Sequence, residues 1–133
     1  MRFTQADLSF TGHAIEARVN AEDPAQNFRP HPGRIETWSA PELAGIRVDT
    51  HCFSGYLVPP FYDSMIAKVI AHAPTRDEAL AKLDQALRNL TVRGIVTNVP
   101  FVRELLSDPR FQSDGFNTAL VERRILEKEK QAA

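Results

Sequence analysis

The sequence is poor in cysteine, since Cys52 is the only one among its 133 residues. A lone cysteine cannot form an internal disulfide, which excludes the disulfide-stapled secreted scaffolds and favours a reducing, cytoplasmic compartment. Zinc sites need several ligands at characteristic spacings, and the cysteine and histidines of this chain do not cluster. The histidines are His13, His31, His51 and His72. We therefore predict no metal site in this chain.

Neither sign of charge is in excess, because 16 Lys and Arg residues face 17 Asp and Glu, for a net charge of -1. This balance lacks the basic footprint of proteins that bind nucleic acids or anionic membranes. No apolar run is long enough to cross a bilayer. Asp7 also interrupts the apolar region that an N-terminal signal peptide would need. The sequence predicts a cytoplasmic protein with neither a nucleic-acid nor a membrane partner.

Several familiar catalytic motifs are missing as well. The chain has no glycine-rich phosphate loop, no G-x-S-x-G nucleophile turn, no H-E-x-x-H zinc motif and no paired cysteines. The residues alone therefore supply neither a nucleophile beside a base nor a phosphate site. That pattern favours a binding or supporting module over a self-contained catalyst.

The residues that are present suit one globular domain. The sequence is 43% hydrophobic and 25% charged, which is typical of globular proteins, and 133 residues can bury a core. We predict a single domain over residues 1–133, with a loose lead-in at 1–8 and a charged, fraying tail at 127–133.

Four stretches have the alternation or the apolar character that is typical of β-strands. They lie at 13–20, 34–38, 46–50 and 65–71. The last is almost entirely apolar, which predicts a central strand. The second and third are joined by a short connection with proline and glycine, which predicts that these two form an antiparallel pair.

Three helices are predicted to follow. Thr75 and Glu78 have capping-box spacing, and an apolar stripe with a 3.6-residue period comes after them. The stripe is Ala79, Leu80, Leu83, Ala86, Leu87 and Leu90. Asn98 is a candidate cap for a second helix with Pro100 in its first turn, and Asn117 for a third. Strands followed by helices indicate an α+β fold, an antiparallel sheet of about four strands with about three helices packed on it.

One face of the first strand carries a compact set of polar groups. Glu16, Arg18 and Asn20 alternate with apolar residues and lie roughly 7 Å apart along the strand. They form either a solvated strand face or a site in which Glu16 and Asn20 hold Arg18 for a ligand. Arginine keeps its charge and suits an oxyanion better than proton transfer. Asp63 is either a cap at the start of the following strand or a carboxylate that fixes Arg18.

Four motifs, in order, resemble the C-terminal domain of biotin carboxylase. They are GHAIEARVNAEDP at 12–24, F-x-P-x-P-G-x-I at 28–35, VPPFYDSMIAK at 58–68 and TN at 97–98. Biotin carboxylases are components of acetyl-CoA carboxylase and related biotin-dependent carboxylases. The motif at 58–65 is more similar to that of acetyl-CoA carboxylase than to that of pyruvate carboxylase.

The resemblance implies a part in an ATP-dependent ligase. Such enzymes activate bicarbonate with ATP and magnesium and carboxylate a ureido nitrogen of biotin on a carrier protein. The family binds ATP, magnesium and bicarbonate in an ATP-grasp region. The resemblance covers neither that region nor the family's N-terminal domain. We therefore expect the isolated chain to be inactive. The family's motif arginine falls on Arg18, which implies contact with the biotin ureido oxygen and stabilisation of the enolate. Asp63, Glu16 and Asn20 are expected to orient it.

The resemblance also implies partners. The family forms homodimers partly through this domain, near residues 40–47, which makes Arg47 a candidate interface residue. Relatives often have Gly-Gly-Phe-Gly there, whereas this chain has ELAG at 42–45. Residues 117–119 resemble the edge of the adenine pocket, which implies that Thr118 lies beside the nucleotide. Further implied partners are the remainder of the biotin carboxylase chain, the biotin carboxyl carrier protein and the carboxyltransferase.

Two hypotheses of different classes follow. The first is the C-terminal domain of a biotin carboxylase that serves acetyl-CoA carboxylase in fatty acid synthesis. The second is a stand-alone, non-enzymatic interaction module with the same fold. The matching domain of propionyl-CoA, methylcrotonyl-CoA or pyruvate carboxylase is an alternative to the first, because the acceptor is chosen by the carboxyltransferase. An ATP-grasp region in the same polypeptide would separate the two hypotheses.

Overall fold

The computed structural model describes residues 3–113 and 116–132, and it places most strands before the helices. The strands are β1 (His13–Asn20), β2 (Glu22–Asp23), β3 (Arg29–Pro30), β4 (Gly33–Arg34), β5 (Thr37–Ser39), β6 (Ile46–Thr50), β7 (Leu57–Val58), β8 (Met65–Ala73) and β9 (Thr91–Arg93). The helices are α1 (Arg76–Asn89), α2 (Val99–Leu106), α3 (Pro109–Gln112) and α4 (Ala119–Ala132). Short 3-10 turns lie at Gln5–Asp7 and Pro24–Gln26. The predicted α+β class is confirmed.

The central sheet contains three of the four predicted strands. β1, β8 and β6 pair in that order, and both pairings are antiparallel. β8 is central, as its apolar character predicts, and it extends two residues past the predicted end to Ala73. The register between β1 and β8 slips between Val19 and Asn20. Three strands of the expected sheet were therefore predicted correctly from their alternation or apolar character.

The predicted strand at 34–38 is wrong as a single strand, and so is its predicted pairing with 46–50. β4 pairs with β7, β5 pairs with β9, and β6 pairs with β8 instead. The chain changes partners at Ile35, which is fully buried and whose N–H donates to the Tyr56 carbonyl at 2.8 Å. The next N–H, from Glu36, donates to the Arg93 carbonyl at 2.8 Å. Both partners are distant in sequence, so they override the local pattern.

Helix α1 covers one face of the central sheet. It begins as predicted, because the Thr75 hydroxyl accepts from the Glu78 N–H at 3.3 Å and the Glu78 carboxylate accepts from the Thr75 N–H at 3.2 Å. Five residues of its predicted stripe are buried, and the helix packs against β1 and β8. They are Ala79, Leu80, Leu83, Ala86 and Leu87. This stripe forms the centre of the core.

The last helices differ from the prediction in two respects. The stretch after α2 contains a further short helix, α3, whose N-cap is Asp108. Helix α4 runs to Ala132, through the segment that was predicted to be a tail. Asn117 lies before α4 as predicted, and its side chain accepts from the Ala119 N–H at 3.1 Å.

Charged side chains tie α4 to α3. The carboxylate of Asp108, 5% exposed, accepts hydrogen bonds from the Arg110 side chain and backbone, and Arg110 also pairs with Glu127 at 2.8 Å. Hydrogen bonds from the Arg110 side chain are the main reason that the pKa of Asp108 is lowered to about 2. Within residues 3–113 and 116–132, no helix has the length and apolar character needed to cross a membrane.

Candidate functional site

The central sheet has two chemically different faces. Side chains of Ala17 and Val19 point into the core and are 4% and 1% exposed. The opposite side, here called the outer face, carries charged residues from all three strands, with Ile66 and Ile70 of β8 on the same side. The charged residues of the outer face are Glu16, Arg18, Lys68, Arg47 and Asp49. The alternation that the sequence predicted for β1 is therefore confirmed.

Arg18 lies on the outer face with 67% of its side chain exposed. Its Nε donates to Oε1 of Glu16 at 3.4 Å, so one predicted orienting residue does contact it. A guanidinium carries five N–H donors, and this contact uses one of them. Among the described residues, none accepts from the other four. Lys68 lies directly opposite Arg18 on β8, so a second cation faces the same space.

Asn20 contacts a different acid. Its Nδ2 donates to Oε1 of Glu22 at 3.1 Å, and the same oxygen accepts a short hydrogen bond from the Ser64 hydroxyl. The Ala21 N–H also donates to the Ser64 carbonyl at 2.7 Å. These bonds join the end of β1 to the loop that precedes β8. Sequence reasoning missed Glu22 and Ser64, although both belong to the motifs at 12–24 and 58–68.

Asp63 adopts the simpler of its two predicted roles. Its carboxylate accepts from the Met65 N–H at 2.8 Å, which caps the start of β8. In the part of the chain that the structure describes, no ion pair or hydrogen bond joins Asp63 to Arg18. Between these two described side chains the expected contact is therefore not formed.

The remaining predicted residues lie apart from Arg18. Arg47 is on the outer face, two residues from Asp49, and its Nη2 pairs with that carboxylate at 2.8 Å. Thr118 is exposed and lies one residue before α4. Over residues 3–113 and 116–132, no group of three or more His, Cys, Asp or Glu side chains could hold a metal ion.

Comparison with known proteins assigns this chain to a protein family. The family model of the biotin carboxylase C-terminal domain matches residues 16–123 of this chain. This chain belongs to that family. Arg18, Asp63 and Asn98 all lie inside the matched range, so the family assignment covers the outer face and the elements around it.

Curated relatives include biotin carboxylases of more than one kind. Biotin carboxylase 1 of Bacillus subtilis is 48% identical over 118 residues, which are 89% of this chain and 26% of the relative. A pyruvate carboxylase component of Methanothermobacter thermautotrophicus is 39% identical over 122 residues, 92% of this chain and 25% of the relative. This domain spans about a quarter of the length of these relatives.

A solved structure has the same fold. The biotin carboxylase domain dimer of Hydrogenobacter thermophilus 2-oxoglutarate carboxylase, in complex with MgADP and bicarbonate, aligns with a TM-score of 0.88 and 37% identity. The alignment covers 92% of this chain and 27% of that one. The family therefore includes enzymes named for different acceptors, and membership alone does not select an acceptor for this domain.

Proposed function

We propose that this domain supplies the arginine that contacts biotin in an ATP-dependent biotin carboxylase. The observation that carries the proposal is the state of Arg18. Glu16 holds its guanidinium through Nε, while the other four N–H donors have no acceptor within the described residues and the side chain is 67% exposed. A permanently charged fork of donors, fixed at one nitrogen, suits an oxygen on which negative charge develops.

The residues around Arg18 suit one part of biotin, the ureido oxygen of its head group. Biotin, when bound, supplies a ureido nitrogen that takes up the carboxyl group. Arg18 donates to the ureido oxygen and stabilises its developing negative charge, while Lys68 on the opposite strand keeps the local potential positive. Glu16 orients Arg18 directly. Asn20 acts indirectly, since its bond to Glu22 fixes the end of β1.

Activation of bicarbonate is assigned to the rest of the enzyme. ATP, magnesium and bicarbonate would bind in an ATP-grasp region, and this chain alone would be inactive. The lack of a phosphate-binding loop in the sequence supports this division. The Hydrogenobacter relative is described in complex with MgADP and bicarbonate, and most of its chain lies beyond the aligned 27%, which leaves room for such a region.

The proposed partners follow from the same division. They are the remainder of the biotin carboxylase chain, a biotin carboxyl carrier protein, a carboxyltransferase and a second copy of the enzyme. Arg47 would lie at the interface between copies, and Thr118 at the edge of the nucleotide site. The description of the Hydrogenobacter relative as a domain dimer supports the second copy.

The proposed acceptor is acetyl-CoA, in cytoplasmic fatty acid synthesis. The form of the motif at 58–65 supports this choice over pyruvate. Radiolabelled bicarbonate tests it, when acetyl-CoA and pyruvate are offered in turn to the assembled carboxylase. Label in malonyl-CoA is expected, and label transferred to pyruvate instead would contradict the choice.

Substitution of Arg18 tests the central assignment. In a complete biotin carboxylase carrying this domain, Arg18→Ala should lower biotin carboxylation about 100-fold or more, since it removes donors at a developing oxyanion. Bicarbonate-dependent ATP hydrolysis without biotin should fall far less. Arg18→Lys keeps the charge without the fork and should be intermediate. Equal loss of carboxylation and ATP hydrolysis in Arg18→Ala would reject the role.

A further inference from the structure

The side chain of Asn98 does not do what its position suggests. Asn98 is the residue before α2, where an asparagine normally caps a helix by accepting from its first turn. The structure records no such cap bond from this side chain. Its carboxamide is turned towards β1 instead, and the residue is only 9% exposed.

Three hydrogen bonds join Asn98 to β1. Its Oδ1 accepts from the Asn20 N–H at 2.9 Å, and its Nδ2 donates to the Arg18 carbonyl at 3.1 Å. Its own N–H donates to the Asn20 carbonyl at 3.1 Å. The carboxamide therefore bonds to β1 as a neighbouring strand would, and it spans the residues on either side of Val19.

These bonds are made to an edge strand, next to an irregularity in its pairing. Among the described strands of the central sheet, β1 lies at the edge and pairs with β8 alone. The register between β1 and β8 slips between Val19 and Asn20, so regular pairing fails one residue after Arg18. Asn98 bonds this same short segment and thus fixes the backbone where the ladder is least regular.

We propose that Asn98 is the positioning residue for Arg18, acting through the β1 backbone. This inference rests on the proposed role of Arg18. The direction of the Arg18 side chain follows from the backbone at residues 18–20, because β-strand side chains stand roughly perpendicular to the sheet. Catalytic groups need placement within about 0.5 Å, and displacement of about 1 Å can cost roughly 100-fold in rate.

The hydrogen-bonding groups of the Asn98 side chain distinguish the positioning role from helix capping. A helix cap needs only an acceptor, so aspartate, serine and threonine replace asparagine well. The bonds to β1 need a donor and an acceptor on one group, which an amide supplies and a carboxylate does not. Asn98→Asp would keep an acceptor for the Asn20 N–H but bring a carboxylate against the Arg18 carbonyl.

The experiment uses a complete biotin carboxylase that carries this domain. Asn98→Asp and the milder Asn98→Ser are compared with Leu106→Ala, which removes a buried apolar side chain from α2 and no hydrogen-bonding group. The readouts are kcat and KM for a biotinylated carrier domain, bicarbonate-dependent ATP hydrolysis without biotin, and the thermal midpoint.

Asn98→Asp should lower kcat for biotin carboxylation about 10- to 100-fold, with ATP hydrolysis within about twofold of wild type. Asn98→Ser should show the same selective loss, to a smaller degree. Leu106→Ala should lower the thermal midpoint without that selective loss. Should Asn98→Asp fail to fold, Asn98→Ser decides the matter with the same readouts.

Two other outcomes are distinguishable. If Asn98 variants keep carboxylation within about twofold while Arg18→Ala abolishes it, Asn98 is a structural residue only and this inference is overturned. If Arg18→Ala itself leaves carboxylation intact, the proposed function fails, and the positioning role fails with it.

Discussion

The two faces of the central sheet are built from the same three strands, yet their side chains differ in burial and in charge. On the inner face, Ala17, Val69 and Val48 lie side by side, and Val69 is fully buried. One residue along each strand, Arg18, Lys68 and Asp49 form the corresponding row on the outer face. If Arg18 has the role proposed above, stability and chemistry are separated in this row by a single step in register. We therefore expect substitutions in one row to leave the property of the other largely unchanged.

The largest stability difference should come from adjacent positions on β8. Val69→Thr places a hydroxyl in the core and should cost about 1–3 kcal/mol in the free energy of unfolding. Lys68→Thr introduces the same residue on the outer face and should change it by less than about 0.5 kcal/mol. Urea denaturation of this chain measures both. Similar costs for the two variants would break the comparison between the faces.

The charged cluster of Asp108, Arg110 and Glu127 lies outside the sheet and contrasts with the outer face, because its charges hold two helices together. Hydrogen bonds, chiefly from the Arg110 side chain, lower the pKa of Asp108 from 3.8 to about 2. A lowered folded-state pKa means that the stabilisation is complete above the ordinary value and is lost as the pH falls through about 2.

The thermal midpoint of this chain, measured between about pH 5 and about pH 2, tests whether the ionised Asp108 carboxylate stabilises the fold. Wild type should lose stability more steeply than Asp108→Asn over the acidic half of this range, and Asp108→Asn should be the less stable protein at about pH 5. Circular dichroism melting curves give both midpoints. Parallel curves for the two proteins would show that Asp108 contributes nothing through its charge.

A small effect on stability is also expected for the ion pair between Glu16 and Arg18. Glu16 and Arg18 are 37% and 67% exposed, so their ion pair is well solvated. Glu16→Gln should change the free energy of unfolding by less than about 1 kcal/mol. Asp49→Asn, which removes the partner of Arg47, is the matched control on the same face. A much larger loss for Glu16→Gln alone would make that pair a structural element.

Local patterns predicted the parts of the fold that local patterns determine. The alternation in 13–20, the apolar run after Ser64 and the capping box at Thr75 each predicted the element that the structure contains. The change of partners at Ile35 could not be predicted this way, because the hydrogen-bond partners around it are residues 55, 56 and 93. Pairing between distant segments leaves no mark in a short window of sequence.

The sequence predicted which residues the candidate site contains better than it predicted their hydrogen-bond partners. Alternation identified the face that carries Glu16 and Arg18. The partner of Asn20 was missed because Glu22 belongs to another short strand. Asn98 was expected to cap a helix, and the same residue type serves equally well to bond an edge strand. Residue type alone does not decide between these two uses.

The separation of the two faces is tested most directly by the rate of biotin carboxylation per folded molecule in a complete enzyme, measured for Arg18→Ala and for Val69→Thr. It predicts a loss of about 100-fold or more for Arg18→Ala, with a rate close to wild type for folded Val69→Thr. An intact rate in Arg18→Ala, or a selective loss of rate in Val69→Thr, would contradict it.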